Sequence, residues 1–271
     1  MRPVQIPHNI LKFLNSKLTK EEMCLEAYEK YRDLKSESPE ISIVMPAYNE
    51  ADNIVPALTS LCFNKTNKLV EIIVVNNNSV DNTADLVEMC GVKCILETKQ
   101  GIANARNAGM VAARGKYILN ADADTIYPED WINQIVEPLI KNEKISMTYG
   151  RFSFIPVGAT GRYTYFVYEY LADFTRWINK YVKDEAVNVY GFTSAIRREQ
   201  GLSVGGFDHP PGTVEDGYMA LKLRNKGYGG FFNVTNKNAI AWTTDRRMQI
   251  DGGFVKGTMR RVKRVFFKGD R

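Results

Sequence analysis

ISIVMPAYNEADN (residues 41–53) sets the architecture of this chain. A short apolar run rich in β-branched side chains stops at a proline and gives way at once to a polar loop. Three further runs follow the same plan: VEIIVVN (70–76), VKCILE (92–97) and GKYILNA (115–121). The segments between them, 51–62, 81–90 and 102–114, carry apolar residues at helical spacing. Strands alternating with helices of that length predict βαβ units and a parallel sheet covered on both faces. Right-handed crossovers bring the carboxyl ends of all the strands to one edge, where open α/β sheets bind their ligands. PAYNEADN, NNNSVDNT and ADADT, scattered in sequence, are therefore expected to converge on one crevice.

What these loops bind is constrained by what they lack. The first contains no glycine, whereas a dinucleotide-binding turn needs glycines so that backbone amides can approach a pyrophosphate. The pattern GxxxxGK[ST] is absent as well. The fourth strand runs instead into Asp122 and Asp124, two residues apart and on one face of an extended chain. Such carboxylates repel each other, and repel a diphosphate, unless a divalent cation lies between. Mg²⁺ and Mn²⁺ fit, since they take one or two carboxylates alongside substrate phosphates. The same two aspartates also read as turn formers ahead of a helix starting near Pro128.

The chain has 271 residues, 44% of them hydrophobic, enough for one large domain or two small ones. No run approaches the ~18 uncharged apolar residues of a membrane span, and the N-terminus lacks a signal peptide's apolar segment. Cys24, Cys62, Cys90 and Cys94 show no CxxC spacing, which favours buried thiols in a reducing compartment over zinc or disulfides. The net charge of +5 is uneven: Asp245 to Arg271 carries +6 and the rest −1. Charge thus gives no support for nucleic-acid binding by the main body.

Together, ISIVMPAYNEADNI, EIIVVNNNSVDNT and GIANARNAGMVAARGKYILNADADT, followed by GFTSAIRRE, VGGFD and VEDGYMALKLRNKG, resemble the successive motifs of the inverting family-two glycosyltransferases. The match runs in order from about Ile41 to Gly227. It implies an α/β GT-A fold, with a mixed, mostly parallel central sheet flanked by helices. The expected organisation is a helical extension (1–38), a glycosyltransferase domain (39–245) and a basic C-terminal helix (246–271). Within the domain, 39–125 would be the nucleotide-binding half and 126–245 the acceptor half. A nucleotide-diphosphate sugar would be the donor, a glycan or lipid-linked glycan the acceptor, and Mg²⁺ or Mn²⁺ the cofactor, commonly in polysaccharide biosynthesis.

Carried onto this sequence, the resemblance places Ala47, Tyr48 and Glu50 at the nucleobase and ribose. Asn76 stands where an aspartate usually meets the base, so uracil, guanine and thymine each remain open. Arg106 would lie near the nucleotide, with Gly101 permitting close approach. Asp122 would face the ribose or a metal-bound water, and Asp124 the metal. Glu215 and Asp216 open an amphipathic segment that Gly227 would stop. The resemblance makes Asp216 the general base, with Glu215 beside the substrate. A helix N-terminus is expected to lower the pKa of Asp216 and keep it ionised, though a helix cap is the alternative role. A glycosidase would need an acid and a base flanking the bond, and Asp122 and Asp124 are too close together for that. The C-terminal histidine that often completes the metal shell is missing, and the region reads NAIAWTTDRR. Thr243, Thr244 or Asp245 could substitute, and Arg246 and Arg247 could grip the diphosphate or be an ordinary solvated pair.

Two segments remain. In GRYTYFVYEYLADFTRWINKY (161–181), the spacing of Phe166, Tyr170, Phe174 and Trp177 predicts packing into the core or an oligomer contact. In the tail, Val255, Met259, Val262 and Phe266 form an apolar stripe among Lys256, Arg260, Lys263, Arg264 and Lys268. That pattern fits docking on the domain, or an anionic membrane surface at the inner face of the plasma membrane of a cytoplasmic protein. An inactive nucleotide-sugar binder and a membrane-surface interaction protein are the competing functions.

Overall fold

The computed structural model describes residues 1–250, 252–254, 256 and 258. The four apolar runs form β1 (Ile41–Ala47), β2 (Val70–Asn76), β3 (Lys93–Leu96) and β4 (Tyr117–Asn120). β1 pairs in parallel with β2 and β4, and β2 with β3. Their side chains alternate between two cores. Ile41, Ile43, Met45, Ile72 and Val74 pack into one, Val44, Ile73 and Val75 into the other. That is the period of two expected of strands buried on both faces.

The remaining strands are β5 (Thr125–Ile126), β6 (Ile145–Gly150), β7 (Phe152–Ile155), β8 (Ser194–Arg197), β9 (Gly230–Val234) and β10 (Ala241–Thr244). Seven strands form one sheet in the order β3-β2-β1-β4-β8-β6-β9, and β5-β10-β7 form a smaller one. β8 runs antiparallel to both its neighbours, so the large sheet is mixed and mostly parallel, as the motifs implied.

The helices are α1 (His8–Leu14), α2 (Lys20–Leu34), α3 (Ile54–Cys62), α4 (Thr83–Met89), α5 (Ile102–Ala112), α6 (Trp131–Lys141), α7 (Arg162–Val182), α8 (Arg198–Ser203), α9 (Glu215–Asn225) and α10 (Arg246–Ile250). α2, α3, α4 and α6 line the first core, and α5, α8 and α9 the second. α2 starts at Thr19 with a capping box to Glu22, which satisfies two backbone donors reciprocally. Its Met23, Cys24, Ala27 and Tyr31 belong to the main core, where α2 packs on α3 and α4.

The aromatic segment departs from the core expectation. α7 buries Tyr165, Glu169, Arg176 and Asn179, while Tyr170, Phe174 and Trp177 are exposed. The charged side of the helix occupies the inner position, which forces the rings outward. The apolar stripe of the tail falls outside the described residues. Among those described, no helix is long and apolar enough to cross a membrane. The four cysteines are free, three of them buried.

Candidate functional site

The loops after β1 and β2 are stitched together by side chains. Asn49 donates its backbone N–H to Ser79 Oγ (3.0 Å) and its Oδ1 accepts from Val80 N (2.9 Å). Asp81 accepts from Ala51 N (3.1 Å). Both loops turn through asparagines in the left-handed region, Asn49 at φ 53° and Asn78 at φ 64°, which Asn tolerates better than most residues. Asn77 Oδ1 accepts from Gly101 N (2.8 Å). Gly101 itself sits at φ 128°, open to glycine alone, and so starts α5 over the crevice. The repeated asparagines are thus the scaffold of the rim.

On that rim, Ala47 is buried at the end of β1 and Tyr48 is 50% exposed beside it. Asn76 Oδ1 accepts from Ser79 N (2.9 Å) and closes the turn after β2. Glu50 receives Asn53 Nδ2 (2.7 Å) and a charge-assisted bond from Arg246. The antiparallel pairing of β5 with β10, Thr125 opposite Thr243, brings Thr244 and Arg246 beside Asp124. Asp245 turns away: it is buried and accepts from Tyr165 Oη (2.6 Å), Val157 N (2.8 Å) and Gln249 Nε2 (2.7 Å). Of the three candidate substitutes for a histidine, Thr244 is the one whose hydroxyl comes near Asp124.

The two acidic clusters meet through one guanidinium. Arg106 projects from α5, is 1% exposed, and donates Nη1 to Asp216 Oδ1 and Nη2 to Asp122 Oδ1 (3.2 Å). The other Asp216 oxygen accepts from Gly191 N (2.6 Å). Arg106 thus lies between the acids of the two clusters. Asp122 is fixed from behind, its backbone N–H donating to Tyr127 Oη (2.8 Å), which in turn donates to Phe192 O (3.1 Å). Glu215 is half-buried next to Asp216, and Arg247 is exposed, its charge acting on both Asp122 and Asp124.

Burial pushes the Asp216 carboxyl up to about 7 against the pull of Arg106. This corrects the expectation that the helix N-terminus lowers it: removing the carboxylate from water costs more than the end of α9 returns. Burial also raises Asp122, with Arg106 opposing. Asp124 is raised by burial and then by Asp122.

The Asp124 carboxylate is poorly satisfied. Its contacts from Thr125 Oγ1, Thr244 Oγ1 and Arg246 Nη2 are all at 3.4 Å, beyond good hydrogen-bond distance. An under-satisfied carboxylate next to a second one fits a hard divalent cation that brings its own waters and phosphate oxygens. Among the described residues no group of three or more His, Cys, Asp or Glu could hold a metal alone, so two protein carboxylates are the available donors of that kind. A hollow of about 380 Å³ lined by Lys116, Glu143 and Arg197 lies at the other end of β4 and has no part in this chemistry.

Sequence reasoning missed Gly191 and Tyr127. Gly191 opens the motif GFTSAIRRE, yet only coordinates show that a Cβ there would overlap the Arg106 guanidinium. Tyr127 lay in plain view, three residues after Asp124, but its reach back to Asp122 depends on the turn between them.

A model of glycosyl transferase family 2 matches residues 42–200. Probable glycosyltransferase YdaM of Bacillus subtilis is 30% identical over 217 residues, 73% of this chain and 50% of that protein. A poly-β-1,6-N-acetyl-D-glucosamine synthase of Staphylococcus epidermidis is 34% identical over 116 residues, 41% of this chain and 28% of that protein. The chain thus spans half or less of the length of these curated relatives. Among solved structures, mannosyltransferase PcManGT of Pyrobaculum calidifontis, in complex with GDP-Man and Mn²⁺, superposes with a TM-score of 0.59 at 18% identity over 90% of this chain and 76% of that one. S. aureus TarS 1–349 with UDP-GlcNAc gives 0.56 at 16% over 76% and 58%. These likenesses fix the fold as GT-A. With the family model covering more than half of its length, the chain belongs to glycosyltransferase family 2.

Proposed function

We propose that this chain is a divalent-metal-dependent, inverting glycosyltransferase. It would carry a sugar from a nucleotide-diphosphate donor to a hydroxyl of a glycan or lipid-linked glycan, in polysaccharide assembly. One observation carries the reading: a single buried guanidinium touches both Asp122 and Asp216, so the metal-side acid and the base share one crevice. Asp124 and Asp122 would hold Mg²⁺ or Mn²⁺, which when bound supplies Lewis-acid stabilisation of the leaving diphosphate. Tyr48 offers an exposed ring to the nucleoside, and Arg247 a guanidinium to the phosphates.

Asp216 takes the proton from the acceptor hydroxyl. A value near neutrality suits a general base, and burial supplies it. Arg106 and Gly191 N–H each occupy one carboxylate oxygen. Each oxygen retains a further lone pair, so the clamp orients the base without exhausting it. Only one protein carboxylate then acts on the acceptor, as a single inverting displacement requires.

Incubating the protein and Mn²⁺ with a panel of UDP-, GDP- and dTDP-sugars tests the reading, since slow donor hydrolysis reveals the nucleotide. Asp124→Ala is expected to weaken Mn²⁺ affinity in the presence of that nucleotide by at least about tenfold, the usual minimum for disturbing a metal's donor set. Unchanged affinity by calorimetry would refute the metal assignment. The +6 balance of residues 245–271 supports a further expectation, attraction to anionic lipid. Deleting residues 252–271 should lower sedimentation with anionic liposomes; equal binding would leave the tail without that role.

A further inference from the structure

α7 is built inside out. Its charged residues face the protein: Arg2 and Arg162 pair with Glu169, and Arg2 and Arg176 with Asp173. Tyr165 and Tyr168 pack on the core, but six other large apolar residues face outward. Tyr163 is 70% exposed, Val167 44%, Tyr170 40%, Phe174 59%, Trp177 57% and Tyr181 67%. These six recur at alternating intervals of four and three, the a/d repeat by which two helices interlock knobs into holes. With ~150–250 Å² on each aromatic side chain, these fractions leave an exposed stripe on the order of 600–700 Å², at or above the ~300–600 Å² of the largest patch on a typical monomer and approaching the ~800 Å² per partner of a standard interface.

We propose that α7 pairs with α7 of a second copy of this chain, antiparallel, about a twofold axis at Ala172. In that register every a position meets a d position of the other copy. Tyr163 faces Tyr181, the small Val167 faces Trp177, and Tyr170 faces Phe174; twofold symmetry repeats each pair and closes the contact. The flanking charges need no rescue on pairing, because Asp173 and Arg176 already bond each other and Lys180 bonds Glu185 (3.1 Å). A lipid surface suits the stripe less well. Interfacial helices keep Lys and Arg on a water-facing polar side, whereas here that side is turned into the protein.

Light scattering on a size-exclusion column, at micromolar concentration, should give the full-length chain twice the mass of one copy. Phe174→Glu with Trp177→Glu should halve it without moving the far-UV circular dichroism, since both side chains are exposed in a single copy, and should make Tm independent of protein concentration. Orientation is read by cysteines. Val167→Cys combined with Trp177→Cys should oxidise to a covalent dimer. Val167→Cys alone should not, because ten helical residues, ~15 Å, would separate the two sulfur-bearing positions and a disulfide spans under ~7 Å between Cα atoms. A monomeric wild type overturns the proposal. So does a monomer whose double glutamate variant loses liposome binding, which would assign the stripe to lipid.

Discussion

Asp216→Asn is expected to cut glycosyl transfer by about 10²–10⁴-fold, the range of a lost general base, with donor affinity within a few-fold of wild type. The asparagine is nearly isosteric, its oxygen can still accept from Gly191 N and Arg106 keeps Asp122, so the loss of one ion pair lowers stability more than it displaces the site. The proposed donor contacts, Asp122, Asp124 and the β1 loop, lie on the other side of Arg106 from Asp216. The wild-type rate should itself rise with pH and level off above about 7, because Asp216 must be ionised to accept a proton and burial places its titration there. The Asn variant should lose that limb. Transfer kinetics against pH check both statements, and full activity in the variant would remove Asp216 from the chemistry.

Much of the fold was legible because burial on both faces leaves a plain mark. β1, β2, β3 and β4 came from apolar runs too short for helices, and the rule that their carboxyl ends share an edge put the three polar loops together. The acids could be singled out for related reasons: Asp122 and Asp124 stand where an apolar run stops, and Asp216 stands where an amphipathic segment begins. Two things were not legible. The environment of Asp216 could not be read, because desolvation depends on what covers a residue, and its partners Gly191 and Arg106 come from two other segments. Of the two readings of the α7 stripe, core or oligomer contact, the core reading fails, because amphipathic spacing shows that a helix has two sides and is silent on which side meets the protein. Here buried Glu169, paired by Arg2 and Arg162, decides it, and Arg2 lies 167 residues away from its partner in sequence.

Gly191→Ala is expected to be among the most damaging single-methyl additions available to this protein. The added Cβ would overlap Arg106 Nη1, Cζ and Nη2, and no change of rotamer offers the guanidinium an easy retreat. It is held between Asp122 and Asp216, with the Phe207 ring 5.6 Å away. If the arginine yields, two carboxylates are left without their countercharge. If the backbone yields, the Gly191 N–H leaves Asp216. Breaking a buried ion pair from one side costs about 3–5 kcal/mol, which for a chain of this size lowers Tm by on the order of 10 °C. Arg106→Met should destabilise through the same loss but leave Gly191 N on Asp216. Calorimetric unfolding of the two variants separates the routes: a smaller fall for Arg106→Met means the backbone moved in Gly191→Ala, and equal falls mean the arginine did. A Gly191→Ala protein with unchanged Tm and normal turnover would show that the clamp on the base is not what holds these acids together.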